Sequence, residues 1–206
     1  MKLTDNYDVM SDTFEFEGEE VAVDLSFDVV LKVLELLASD EFDVSFKIDR
    51  TLSLLVPEFE YWGYDFEVQY ELFVYLVETF LAEKLVDDGE DGLDDGPSVK
   101  TMDFDKDADL IFVSFYHAYG IDLFEMQGKL HWTKFRSLLN HLPGETAFKE
   151  VVNYRVMKIP SKNEASDDYI AHVKKMKRRY SLESDEEIQQ SNDDKLSAFA
   201  AQFGGG

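Results

Sequence analysis

Apolar and acidic residues alternate near the start of the chain and then give way to a helical spacing. The alternation covers residues 14–25, and a period of two around Gly18 predicts a small β-hairpin. Ser26 is a typical N-cap residue and Asp28 would lie in the first turn, so a helix is predicted to begin at Phe27. Its apolar side chains recur at helical spacing: Phe27, Val30, Leu31, Leu34 and Leu37.

Two more helices are predicted in the N-terminal half. Residues 45–56 form the shorter one, which ends because Pro57 cannot continue a helix. Its predicted inward-facing residues are Phe46, Ile48, Leu52 and Leu55. An aromatic loop at 58–64 precedes the longer helix at 66–85, whose apolar residues are Phe66, Tyr70, Phe73, Val77, Phe80 and Leu81. Three helices and a hairpin are enough to share one core.

The densest run of aromatic and aliphatic residues lies at 103–143 and predicts another pair of helices. Asp105 or Asp107 would cap the first, residues 110–119 are apolar on nearly every face, and Gly120 would end it. The second helix is amphipathic, with apolar residues Trp132, Phe135, Leu138, Leu139 and Leu142.

The pattern becomes more polar towards the C-terminus. Residues 146–155 predict a helix or a helix-to-strand segment, and 159–165 a connector. Ser166 is predicted to cap a helix with acids in its first turn and bases in its last, which suits the helix dipole. The stripe Tyr169, Val173, Met176 and Tyr180 requires a partner helix. The basic run at 174–179 is interpreted as a solvated helix face, or as a surface that docks to acid.

Composition divides the chain into four segments. Residues 87–97 combine like charges with three glycines and predict a flexible linker, and residues after 183 contain few apolar side chains and predict disorder. We therefore predict a mainly α-helical fold. It comprises an acidic helical domain with the hairpin at 1–86, an acidic linker at 87–102, a C-terminal helical domain at 103–182 and a disordered tail at 183–206.

The chain is strongly acidic, with a formal net charge of −24. Residues 1–97 hold 27 Asp or Glu against 5 Lys or Arg. Such a charge repels nucleic acid and anionic membranes, so neither is expected as a partner. The negative charge keeps the protein soluble, or it steers basic surfaces of a partner towards the N-terminal half. The sequence is compatible with both roles of the charge. No apolar run approaches the roughly 20 residues of a membrane helix. The absence of cysteine excludes disulfides and suits the cytosol.

No pattern of residues supports catalysis, a cofactor or a metal. Asp103, Asp105, Asp107 and Asp109 imitate half of a calcium loop, but Ala108 replaces the required glycine and Ser114 the required glutamate. Helix capping and solvation explain these acids better, and a metal-dependent hydrolase built on Asp105 and Asp109 is a distant alternative. The histidines, His117, His131, His141 and His172, lack zinc-binding spacing. His131 is interpreted as a polar residue at the edge of the core.

The runs DADLIFVSFYHAYGIDLF, GKLHWTKFRSLLNHLP and TAFKEVVNYR, together with FDVVLKVLELL, resemble a protein family of tailed bacteriophages of Gram-positive hosts. The resemblance covers most of residues 20–180. Members of that family are tail assembly chaperones, comparable in role to the lambda G and GT proteins. The resemblance implies a non-enzymatic protein of the host cytoplasm that binds the tape measure protein and tail tube protein, associates in several copies and is absent from the mature virion.

A chaperone for a helical client needs an apolar binding surface. The residues expected to provide it are Tyr116, Tyr119, Phe124, Trp132, Phe135 and Leu139. Aromatic residues at this spacing are more often core residues, so Trp132 is predicted to be buried and Tyr116 and Tyr119 to line the groove. A second hypothesis of another class is an acidic DNA mimic that occupies the basic groove of a DNA-binding protein.

Overall fold

A computed structural model of the protein describes residue 4, residues 6–81 and residues 101–182. Within these residues, two strands and seven α-helices follow in chain order: β1 Asp12–Phe16, β2 Glu19–Val23, α1 Phe27–Ala38, α2 Val44–Leu55, α3 Phe66–Leu76, α4 Ala108–Tyr119, α5 Trp132–Asn140, α6 Ala147–Val156 and α7 Asp167–Tyr180. This confirms the predicted fold class, mainly α with an N-terminal hairpin. The predicted linker lies outside the described residues except for 101 and 102, and the predicted tail lies entirely outside them.

The hairpin forms where the alternation predicted it. Strands β1 and β2 pair antiparallel, with Phe14 opposite Val21. The turn between them places Glu17 at a φ of 50° and Gly18 at 83°, the left-handed pair that suits the twist of a two-residue hairpin. Val21 and Val23 point into the core and are almost fully buried.

Helix α2 packs against α1 on one side of the sequence and against α3 on the other, so each helix contacts the next one along the chain. The position of Ser26 before α1 was predicted correctly, but its hydroxyl donates to Asp24 Oδ1 over 2.7 Å instead of capping the helix. At the start of α2, Asp43 accepts a hydrogen bond from the backbone N–H of Phe46. A local side chain thus satisfies a backbone donor where α2 begins, whereas α1 and α3 begin without a side-chain cap.

The predicted inner face of α2 needs correction at Phe46, which was expected to face inward but is 45% exposed. Phe66 and Tyr70, part of the apolar spacing that predicted the next helix, are 54% and 47% exposed. Helix α3 buries Leu72 and Leu76 instead, because two faces of this helix are apolar and only one meets α2. The helix then continues as one π-helical turn, Val77–Leu81.

The chain divides into two compact units that do not follow sequence order. Of the described residues, the first unit comprises those up to 81 together with 112–143, and the second comprises 101–111 and 144–182. Residues of the predicted C-terminal domain at 103–182 occur in both units.

A short backbone pairing explains why α5 belongs with the N-terminal elements. The N–H of Phe27 donates to the carbonyl of Leu130 over 2.9 Å, and the N–H of Trp132 donates to Leu25 over 2.7 Å. These bonds join the residues before α1 to the residues before α5. The ring of Phe135 then stacks on that of Phe27, with centroids 4.9 Å apart.

The second unit is built around the buried side chain of Arg155 on α6. Its two terminal nitrogens donate to the two oxygens of Asp107, each over 2.7 Å, and Nε donates to the carbonyl of Tyr180. Asp107 is 1% exposed. The prediction of a solvated or capping Asp107 is thus corrected, because an arginine 48 residues away removes this carboxylate from water.

Helix α7 packs on α6 and begins as predicted, with the hydroxyl of Ser166 accepting from the N–H of Tyr169. Its buried residues are Ile170 and Val173, whereas Tyr169, predicted to belong to the apolar stripe, is 50% exposed. Lys177 departs from the predicted solvated basic face. Its ammonium donates to the carbonyls of Arg155 and Met157, and its partial burial lowers its pKa.

Candidate functional site

Exposed aromatic side chains gather on the outer side of α4 and on the loop that follows it. Tyr116 is 58% exposed and Phe124 is 70% exposed. The ring of Phe112 lies between them, with its centroid 5.2 Å from Phe124 and 6.3 Å from Tyr116. Val113 is 48% exposed. These four residues, Phe112, Val113, Tyr116 and Phe124, are called the α4 aromatic cluster.

Hydrogen bonds from backbone N–H groups to carbonyl and carboxylate oxygens hold the loop that carries Phe124. Gly120 ends α4 in the left-handed region, at a φ of 66°, and its N–H donates to the carbonyl of Tyr116. Asp122 Oδ1 accepts from the N–H of Phe124 over 2.9 Å. Further along, the N–H of Gly128 donates to Asp28 on α1 over 2.8 Å. Phe124 is therefore presented to solvent from an anchored loop.

A layer of parallel buried rings lies in the core of the same unit. Phe135 is at its centre, with ring centroids 4.9 Å from Phe27, 5.3 Å from Phe115 and 5.7 Å from Trp132. Offset stacking of buried aromatic rings adds to the stability gained from burial alone. Phe115 and Phe112 belong to the same helix, so this layer fixes the helix that carries the exposed cluster.

Three of the six predicted client-binding residues belong to the core. Trp132, Phe135 and Leu139 are exposed by only 3%, 1% and 1%. They form the buried face of α5, which packs inside its own unit. The expectation that Trp132 is a core residue is confirmed, and Phe135 and Leu139, also named as client-binding residues, are buried beside it.

Tyr119 is half-buried and serves the fold. Its hydroxyl donates to the carbonyl of Leu138 over 2.9 Å and lies 3.1 Å from that of His141, so it ties the end of α4 to the end of α5. Burial raises the pKa of this phenol. Tyr116 and Phe124 are the predicted residues that the structure leaves on the surface.

His131 caps α5 and is almost fully buried. Its Nδ1 accepts from the N–H of Thr133 over 3.1 Å, so this nitrogen carries no proton. Nε2, the other ring nitrogen, lies 2.9 Å from Asp12 Oδ2 and is hydrogen-bonded to it. Both ring nitrogens are used to connect β1 with the start of α5, which is a structural role.

The described residues offer neither a metal site nor a membrane span. No group of three or more His, Asp or Glu side chains among them could hold a metal ion. No helix in the part of the chain that the structure describes is long and apolar enough to cross a membrane.

Sequence reasoning did not single out Phe112 and Val113 as surface residues. The four-residue spacing of Phe112 and Tyr116 places them on one face of α4 and was the available signal. It could not identify the exposed face, because residues 110–119 are apolar on nearly every side. Phe124 was identified, and the structure shows why it is accessible.

The fold and the surface describe a mainly helical, acidic protein with an exposed aromatic cluster. Comparison with known proteins identifies its family: a family profile described as Bacteriophage Gp15 protein matches residues 7–182. The chain belongs to that family and is a bacteriophage protein, as the sequence resemblance indicated. No curated protein and no solved structure matches the chain significantly.

Proposed function

We propose that this bacteriophage protein is a tail assembly chaperone, a protein without enzymatic activity that binds the tape measure protein while the tail is built. The observation that carries the proposal is the α4 aromatic cluster, where Tyr116 and Phe124 expose 58% and 70% of their surface. Contiguous apolar surface on a folded protein is typical of a site where another protein binds. Tyrosine and phenylalanine are enriched at such interfaces.

The exposed aromatic cluster and the acidic charge suit the task of a chaperone for the tape measure protein. A tape measure protein with long apolar helices must be kept soluble until the tail tube encloses it. The α4 aromatic cluster offers a rigid anchor for an apolar helix face, since its residues come from a helix and an anchored loop. The formal net charge of −24 would keep the complex soluble and prevent it from aggregating.

The same proposal includes the other partners and the place of action. Several copies coat one tape measure chain in the host cytoplasm, tail tube protein subunits then join the complex, and the chaperone leaves before the virion is complete. Neither nucleic acid nor membrane takes part, because an acidic surface repels phosphate.

Co-expression with the tape measure protein of the same phage tests the proposal. We expect a soluble complex that elutes as one species in size-exclusion chromatography. The double variant Tyr116→Ala, Phe124→Ala should weaken binding by tenfold or more, since truncation of an interface anchor costs about 1–2 kcal/mol per residue. Tyr169→Ala removes an aromatic side chain that is 50% exposed in the other unit, and it should bind like the wild type.

Two results would contradict the proposal. One is a tape measure protein that stays insoluble in the presence of the wild-type chain. The other is equal binding by the double variant and by Tyr169→Ala, which would remove the role of the α4 aromatic cluster. Capture of host DNA-binding proteins, without capture of the tape measure protein, would favour a DNA mimic instead.

A further inference from the structure

A second exposed aromatic surface lies on the first unit, at α3 and the turn before it. Trp62, in the one-turn 3-10 helix Tyr61–Gly63, is 64% exposed. Phe66 and Tyr70 follow at four-residue spacing and are 54% and 47% exposed. Because residues four apart are neighbours on a helix surface, Phe66 and Tyr70 share one face of α3. We call Trp62, Phe66 and Tyr70 the α3 aromatic row.

The α3 aromatic row does not contribute to the buried core. Helix α3 buries Leu72 and Leu76, which lie on another side of the helix. Three large aromatic side chains exposed within nine residues are costly to keep in water unless they are covered part of the time. The row is therefore an unpartnered face of a folded unit.

The charge around the row indicates what covers it. Between Arg50 and Lys84 the chain has seven acidic residues and no Lys or Arg. Five exposed ones precede, separate or directly follow the aromatic residues in the sequence: Glu58, Glu60, Asp65, Glu67 and Glu71. None of these five carboxylates has an ion pair or a side-chain hydrogen bond with another described residue.

We infer that the α3 aromatic row binds a Lys- and Arg-rich segment of a protein partner. A guanidinium or ammonium group over an aromatic ring is attracted to the ring face, and the adjacent carboxylates would pair with the same cations. Arginine should be preferred over lysine, since its planar group stacks on aromatic rings and pairs with carboxylates in a fork. A second copy of this chain is a poor occupant because its net charge is −24. The inference stands apart from the proposed chaperone role, which uses the α4 aromatic cluster.

Intrinsic fluorescence gives a direct test with the full chain. The protein has two tryptophans, and Trp132 is only 3% exposed, so a surface ligand changes chiefly the emission of Trp62. An oligo-arginine peptide is titrated at about 0.15 M salt, where long-range attraction is screened. We expect saturable quenching, weaker quenching by oligo-lysine of the same length, and none by oligo-glutamate. Absence of saturable binding by oligo-arginine would overturn the inference.

Matched variants separate a local site from general attraction by an acidic protein. Titration calorimetry compares Glu67→Gln, Glu71→Gln on α3 with Glu15→Gln, Glu19→Gln on the hairpin, a pair that removes the same charge from exposed positions. The α3 pair should weaken oligo-arginine binding about fivefold, the effect of two modest surface ion pairs, and the hairpin pair less than about twofold. Equal weakening by both pairs would show that net charge alone attracts the peptide, and would overturn the inference.

The aromatic contribution is tested in the same way. Trp62→Ala, Phe66→Ala should weaken binding about tenfold, as expected for two cation–π contacts, while Tyr116→Ala, Phe124→Ala should leave it unchanged. Both double variants change exposed side chains, so their thermal melts should match that of the wild type. A folded Trp62→Ala, Phe66→Ala variant that binds oligo-arginine like the wild type would overturn the role of the row.

Discussion

In the first unit, the effect of a substitution depends on whether the side chain is buried or exposed, and Trp132 is the clearest buried residue. It is 3% exposed and stacks on Phe135. We predict that Trp132→Ala lowers the free energy of unfolding by about 3–5 kcal/mol, because it removes a buried aromatic ring and leaves a cavity. Phe124→Ala is the control, since that ring is 70% exposed, and it should change stability by less than about 0.5 kcal/mol. Urea denaturation measures both, and a similar stability of the two variants would show that Trp132 is not a core residue.

Tyr119 gives the protein a defined response to alkaline pH. Burial raises the pKa of its phenol above the ordinary value of 10.0, so the folded protein keeps this proton at a pH where the unfolded chain releases it. The folded state then binds more protons than the unfolded state, and the free energy of unfolding falls as the pH rises through and above about 10. The pKa of Tyr61 is raised as well, chiefly by burial and then by Asp49, so this tyrosine adds to the same decline.

Replacing Tyr119 by phenylalanine removes its titration. We predict that the stability of Tyr119→Phe declines less steeply than that of the wild type above about pH 10, while the contribution of Tyr61 remains. The variant should also be less stable near neutral pH by about 1 kcal/mol, because the hydrogen bond to the carbonyl of Leu138 is lost. Urea denaturation across this pH range is the measurement, and parallel pH profiles for the two proteins would contradict the prediction.

In the second unit, the ion pair of Arg155 and Asp107 connects helix α6 to the residues that precede α4. Asp107 directly precedes α4, Arg155 lies on α6, and Nε of Arg155 donates to the carbonyl of Tyr180 at the end of α7. A buried ion pair adds little net stability by itself, but removal of one partner leaves an uncompensated charge.

We therefore predict an asymmetric result for this pair. Asp107→Leu should destabilise the protein by about 3–5 kcal/mol, and the double variant Asp107→Leu, Arg155→Met should recover much of that loss. Chemical denaturation of the single and double variants completes the thermodynamic cycle. Losses that simply add would show that the two side chains do not act as a pair.

Across the chain, residues 112–143 belong with the N-terminal elements and not with α6 and α7. We predict that a protease site inserted within residues 87–97 can be cut without separating the two fragments. Phe135 and Trp132 of one fragment pack in the same unit as Phe27 of the other, and burial of large aromatic side chains holds such fragments together.

Size-exclusion chromatography of the cut protein tests this prediction. Both fragments should elute together under native conditions and separate in urea. In the isolated fragment 101–182, the emission of Trp132 should shift to that of a solvent-exposed tryptophan, because the fragment leaves Trp132 and Phe135 without Phe27. Separate elution of two folded fragments would instead support the domain division drawn from the sequence.

The sequence by itself determined the elements of the described chain. The alternation around Gly18 predicted the hairpin, helical spacing predicted the helices, and Ser166 predicted the start of α7. These features depend on residues close together in sequence, namely side-chain period, capping and turn conformation. The same reasoning named Tyr116 and Phe124, which are exposed, together with Phe135 and Leu139, which are buried, because spacing alone does not show which apolar residues a neighbour covers.

Only the tertiary structure decided which apolar faces are buried and which charges are paired. Helix α3 has more apolar residues than its packing partner can cover, so Phe66 and Tyr70 remain outside while Leu72 and Leu76 are buried. The fate of Asp107 depends on an arginine 48 residues away. Burial and pairing are set by contacts between distant parts of the chain, and the spacing of residues along one helix predicts an apolar face but not which part of it a neighbour covers.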